Sequence, residues 1–195
     1  MRLCLISPEH DLHGGLGAYV QQLARLLARE HEMTVIYTFE GGVPEASPDD
    51  PPGLRHVVAD PSRLPPIAFS CDDHARSAAA LQAIEDSYGD EPPDYLEVPD
   101  YRGHGLVSLQ ARNSGHRSLR GCTIAVRLMG ALEAICAHDG TWRDPGNRIL
   151  FDFEREVMRL ADLVLWPGGG SASPSRRARS YRKAAAPPSQ STRVP

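Results

Sequence analysis

Three glycines in four positions, at Gly14, Gly15 and Gly17, follow a short apolar run and precede an apolar-periodic segment. In the order His13-Gly14-Gly15-Leu16-Gly17 they form a turn that opens a helix. Such a turn aims unpaired backbone N–H groups, and the positive end of the helix dipole, at whatever anion sits above it. Glycine lets the backbone approach a ligand closely. The chemistry on offer is phosphate binding by main-chain groups. A dinucleotide fingerprint would need G-x-G-x-x-G/A and an acid at the end of the next strand. Here Gly15-Leu16-Gly17-Ala18-Tyr19-Val20 puts valine where the third small residue lets helix pack on strand, although Glu40 is an acid near the right place. A dinucleotide-binding Rossmann module stays open as an alternative with one of its three glycines missing.

Other chemistries find less support. His10, His13, His31, His56, His74 and His116 are scattered among loops and helix ends, without an H-x-x-x-H or C-x-x-C pair, so neither a metal site nor another cofactor is expected. His138 reads as a surface loop residue. Ser7, Ser70 and Ser108 lack the context of a nucleophile elbow. Cys4, Cys71, Cys122 and Cys136 have no metal-type spacing and read as buried, reduced thiols.

The elements that must position the glycine turn follow from periodicity. Residues 2–7 (RLCLIS) read as a buried strand. Residues 18–29 read as an amphipathic helix with Leu16, Tyr19, Val20, Leu23, Leu26 and Leu27 on one face and Gln21, Gln22, Arg25 and Arg29 outside it. Residues 33–39 form a second strand, which makes a parallel βαβ unit. A proline- and glycine-rich loop leads to a third strand at 54–58. A helix capped by Asp72 or Asp73 runs to 88, a strand covers 95–98, and a short helix covers 105–113. A strand at 122–128 follows, then a helix opening at Asp144-Pro145 with Ile149, Leu150, Phe153, Val157, Leu160 and Ala161 inward, and a strand at 163–166. The alternation predicts an α/β, three-layer, doubly wound Rossmann-like domain with a mainly parallel sheet.

The 195 residues carry a net charge of −4 that conceals two kinds of sequence. Residues 1–170 hold 15 arginines against 25 acids, a net of −10, whereas residues 171–195 hold five arginines, one lysine and no acid, a net of +6. The second segment has no leucine or isoleucine and no usable period, so a disordered basic tail is expected. It reads either as an arm for anionic partners or as the out-of-frame end of an interrupted GC-rich gene, and the second reading is adopted; no nucleic-acid partner is expected. No apolar run approaches the ~20 residues of a membrane span. A cytoplasmic location is expected, with at most peripheral membrane contact.

Four segments in order give the chain a family resemblance. The first strand, glycine loop and AYVQQLARLLARE helix, the PDYLEVPDYRGHG segment, the CTIAVRLMG strand and loop, and ADLVLWPGGGS together resemble the N-terminal domain of the GT-B-fold retaining glycosyltransferases of family 4. The resemblance covers residues 1–171. It implies one half of a GT-B fold over 1–170, with 171–195 as the tail. It also implies transfer of a hexose, with retention, from a nucleotide-diphosphate sugar to a sugar or lipid-linked acceptor. Gly14, Gly15, Leu16 and Gly17 would then lie near the donor diphosphate, and Tyr101, Arg102 and His104 would face the acceptor. The histidine that the family places after the R-L of the fifth strand is Met129 here, whose thioether neither exchanges a proton nor donates a hydrogen bond, so no catalytic residue is assigned. The family's E-x7-E clamp for the donor is absent downstream of 171, which implies truncation and negligible turnover by this chain alone. A non-catalytic docking half of a split enzyme, pairing with a separate C-terminal half, is the other alternative.

Overall fold

The computed structural model describes residues 1–9, 15–39, 47–141 and 144–166. Gly14, Glu40 and the whole of the expected tail lie outside these described residues. Six strands, β1 (Arg2–Ser7), β2 (Glu32–Tyr37), β3 (Leu54–Val58), β4 (Tyr95–Pro99), β5 (Thr123–Arg127) and β6 (Leu163–Leu165), form one sheet in the order β3-β2-β1-β4-β5-β6. Every pairing is parallel, as in Leu5↔Val35 and Leu96↔Ile124. The helices are α1 (Gly15–Leu27), α2 (Asp72–Tyr88), α3 (Leu106–Asn113), α4 (Leu132–Asp139) and α5 (Pro145–Leu160). The three-layer, doubly wound α/β architecture is therefore the observed one.

Strands covered on both faces read as continuous apolar runs, which is why β1 and β2 stand out in the sequence. Alternation along them divides the core. Leu3, Leu5, Met33, Val35 and Tyr37 pack under α1 with Val20, Ala24 and Ala28. Cys4, Ile6, Ile36, Leu96, Val98, Ile124 and Val126 pack against α2, α3 and α5 on the opposite face. Burial pushes the Cys122 thiol up to about 12 and raises that of Cys4 as well, so neither is a nucleophile.

Several local expectations change. Helix α1 begins at Gly15, three residues earlier than its periodicity suggested, so Gly15, Leu16 and Gly17 form its first turn. Its inward stripe is Gly17, Val20, Gln21 and Ala24, while Leu26 is 60% exposed. Gln21 is buried because its amide donates to the Tyr37 hydroxyl, a polar pairing that apolar periodicity cannot reveal. Neither Asp72 nor Asp73 caps α2; the N-cap is Cys71, without a side-chain cap bond. The unforeseen α4 places His138 in a helical last turn rather than a loop. At α5 the cap is as expected: the Asp144 carboxylate accepts from the Gly146 N–H at 2.9 Å, with Pro145 at the first helical position.

Candidate functional site

In an open parallel sheet, ligands bind beyond the carboxyl ends of the strands where the connections diverge to opposite faces. That point lies between β1, which leads into α1 on one face, and β4, which leads into α3 on the other. Three segments surround it.

The first is the start of α1. Ser7 is fully buried at the end of β1 and turns the chain by donating from Oγ to the Glu9 carbonyl at 2.6 Å. Gly15 has φ +66°, a conformation that favours glycine. The amides of the first helical turn have no carbonyl one turn back, so Gly15, Leu16 and Gly17 can present N–H groups to an anion. A Cβ placed on Gly15 would lie 3.2 Å from Glu9 Oε2, so an exposed carboxylate already stands beside this helix start.

The second is the turn after β4, where three residues were expected to face an acceptor. Arg102 is the one non-glycine residue of positive φ (55°) among the described residues, and opposing acids hold it there. Its N–H donates to Glu154 Oε1 at 2.8 Å, and its Nε and Nη2 fork onto Asp73 at 3.0 and 2.8 Å. The guanidinium lies 5.8 Å from the centre of the Tyr101 ring, and both side chains reach solvent in part. His104 does not: it is 1% exposed, its Nε2 bonded to Asp73 Oδ1 at 3.0 Å and its Nδ1 to Thr38 Oγ1 at 2.7 Å. Burial opposes ionisation of Asp73, but the bonds from His104 and Arg102 outweigh it and hold the carboxyl at about 2. The glycines of this turn are steric requirements. A Cβ on Gly103 would meet Phe153 Cβ at 2.5 Å, and one on Gly105 would meet Val98 Cβ at 2.6 Å.

The third is the β5–α4 loop with Met129. Asp100, 2% exposed, accepts from the N–H groups of Met129 at 3.0 Å and Gly130 at 3.3 Å. Glu154, 1% exposed, accepts from Leu132 at 2.7 Å and Glu133 at 3.1 Å, capping α4 from a neighbouring helix. Burial raises the Asp100 carboxyl, and it pushes Glu154 up to about 7 against the three N–H bonds, with the nearby Asp100 charge adding to the rise. Met129, Leu16 and Tyr19 line one narrow cleft with Glu97 and Arg127. There Glu97 Oε2 accepts from Arg127 Nη2 at 2.8 Å and from the Tyr95 hydroxyl at 2.9 Å, while the Arg127 guanidinium lies 5.0 Å from the Tyr19 ring centre.

The cleft thus brings together Leu16 of the glycine turn and Met129, two positions 113 apart in sequence. Asp73, Asp100, Glu154 and Thr38 were not foreseen as parts of this region. A signal existed for Glu154, the one charged residue on the buried stripe Leu150, Phe151, Glu154 and Val157 of α5. Asp73 and Thr38 left none, since contacts between residues 31 to 66 positions apart depend on the sheet order.

No family model matches the sequence, and no curated protein matches it. Solved structures do resemble the fold. Sucrose-phosphate synthase from Thermosynechococcus elongatus superposes with a TM-score of 0.60 at 17% identity, over 92% of this chain and 44% of that one. Phytolacca americana UGT2, complexed with UDP-2fluoro-glucose and pterostilbene, aligns with a TM-score of 0.49 at 13% identity, over 85% of this chain and 48% of that one. The chain therefore spans less than half the length of each. At such identities the likeness is one of fold alone: the parallel-sheet, Rossmann-like domain that the chain shares with part of the sucrose-phosphate synthase.

Proposed function

We propose that this chain forms the acceptor-side half of a family-4-like retaining glycosyltransferase, acting on a nucleotide-diphosphate sugar. The observation that carries the reading is the β1/β4 divergence, where Leu16 of the first turn of α1 and Met129 line one narrow cleft of about 10 Å³. The fold shared with less than half of a sucrose-phosphate synthase supports it. In this reading the N–H groups of Gly15, Leu16 and Gly17, with Gly14 before them, stabilise negative charge on the diphosphate as the glycosidic bond breaks, a preorganised electrostatic role. Tyr101 and the exposed edge of Arg102 contact the acceptor. His104, with both ring nitrogens bonded inside the protein, acts as a positioning residue by holding Asp73, which fixes Arg102. Met129 supplies shape and no proton, so a half-site of this kind binds sugar nucleotides without a histidine on the transferring sugar.

Equilibrium titration with UDP-glucose and with NADH tests the proposal, using the wild type, Gly15→Val and Gly15→Asn. Asparagine tolerates positive φ, whereas valine there is strained. The sugar nucleotide should bind the wild type and Gly15→Asn alike and bind Gly15→Val at least tenfold more weakly, while NADH binds no more tightly than UDP-glucose. Tight NADH binding would favour the dinucleotide module. Unchanged binding by Gly15→Val would remove the glycine turn from the site.

A further inference from the structure

Two walls of the crevice, the β4–α3 turn and the β5–α4 loop, are separate in sequence, yet one oxygen atom joins them. Glu154 Oε1 accepts from the Arg102 N–H at 2.8 Å and from the Leu132 N–H at 2.7 Å. Its partner Oε2 accepts from the Glu133 N–H at 3.1 Å. Among the described residues no cation pairs with this carboxylate: the Arg102 guanidinium is turned to Asp73, and the Arg155 guanidinium next along α5 pairs with the Glu133 side chain and with Asp152. A buried carboxylate that lacks a counter-ion and is satisfied by three main-chain donors is costly to retain for packing alone, because an apolar residue of similar shape would avoid its desolvation. What an apolar residue would lose is the common acceptor of the two loops.

We propose that Glu154 is a positioning residue that locks the Tyr101–Arg102 wall and the Met129-bearing wall of the crevice into one rigid unit. Two further acids brace the walls. Asp73 grips the Arg102 side chain, and Asp100, which immediately precedes Tyr101 on the first wall, accepts from the Met129 and Gly130 amides of the second. Asp100 thus links the walls directly, and Glu154 holds both from a third element, α5. The left-handed backbone at Arg102 follows, since a non-glycine residue stays in that region only when its surroundings over-determine it.

NMR-detected amide exchange tests this atom by atom. In Glu154→Ala the amides of Arg102, Leu132 and Glu133 should all exchange at least tenfold faster, while those of Leu5 and Val35 in the central strands stay within threefold of the wild type. Glu154→Gln keeps a carbonyl oxygen but replaces the other acceptor by an NH2 group. It should therefore protect Arg102 and Leu132 as in the wild type and release Glu133 alone. Loss at only one wall in Glu154→Ala, or equal loss across the central strands, would overturn the proposal. If the alanine variant fails to fold, the glutamine variant decides: release of Arg102 and Leu132 together with Glu133, or protection of all three, would contradict the assigned acceptor roles.

Discussion

Charge at single residues decides how strongly the crevice can hold an anion. Glu9 sets its carboxylate beside the start of α1, where it complements the helix dipole and opposes an incoming phosphate. At an exposed site one such charge is worth about 1 kcal/mol, so Glu9→Gln should tighten UDP-glucose binding roughly fivefold by calorimetry. Glu154 gives a signature in pH. Its carboxyl is raised to about 7 from an ordinary 4.5, so the folded chain holds this proton more firmly than the unfolded one. Its contribution to stability is complete below about pH 4.5 and is lost as pH rises through 7. Relative to Glu154→Gln, the wild type should lose about 3 kcal/mol of unfolding free energy between those limits, measured by urea titration. Asp73, held at about 2, acts in the opposite sense: its contribution is full above the ordinary 3.8 and fades only as pH falls through 2, outside that window. At this scale the sequence was partly legible. The glycine turn announces itself by type and spacing, and the Tyr101–His104 segment was marked only by the family resemblance; the inward turn of His104 depends on Thr38 and Asp73, which only the folded sheet brings near.

At the scale of elements, the central strands were readable because double-sided burial leaves an unbroken apolar run, and β1 and β3 fall at their expected bounds. Helix ends were less so. The start of α1 is set by where the chain leaves β1, and three glycine-turn residues enter the helix at no steric expense. Helix α4 escaped notice because its N-cap is supplied from α5 and its apolar residues have no sharp face. A buried polar seam holds α1 to β2 and β3: Gln21 donates to the Tyr37 hydroxyl, which meets His56 Nδ1 at 2.9 Å, and His56 Nε2 lies 3.3 Å from Asp50, itself paired to Arg25 at 2.7 Å. Tyr37→Phe should cost about 1–3 kcal/mol, because it leaves the Gln21 amide without this acceptor. The double variant Tyr37→Phe with Gln21→Leu should recover only part of that loss in a thermal unfolding cycle, since it removes the orphaned amide but leaves His56 Nδ1 without the hydroxyl.

For the molecule as a whole, the strand order places the divergence between β1 and β4, and every proposed contact lies at the carboxyl edge beside it. The alternating pattern of strands and helices made the layered fold legible, and the order of the strands was implied only through the family resemblance. A second depression exists between α4 and α5, lined by Glu133, Arg148, Phe151, Asp152 and Arg155, away from the glycine turn. The two places can be told apart in one experiment. Titrating UDP-glucose into the isotopically labelled chain and following its backbone amides by NMR should move Gly15–Ala18, Tyr101–Gly103 and Met129–Gly130 together, with one apparent dissociation constant. Shifts confined to Glu133 and residues 148–155, with the glycine turn unmoved, would contradict the assignment of the crevice as the site.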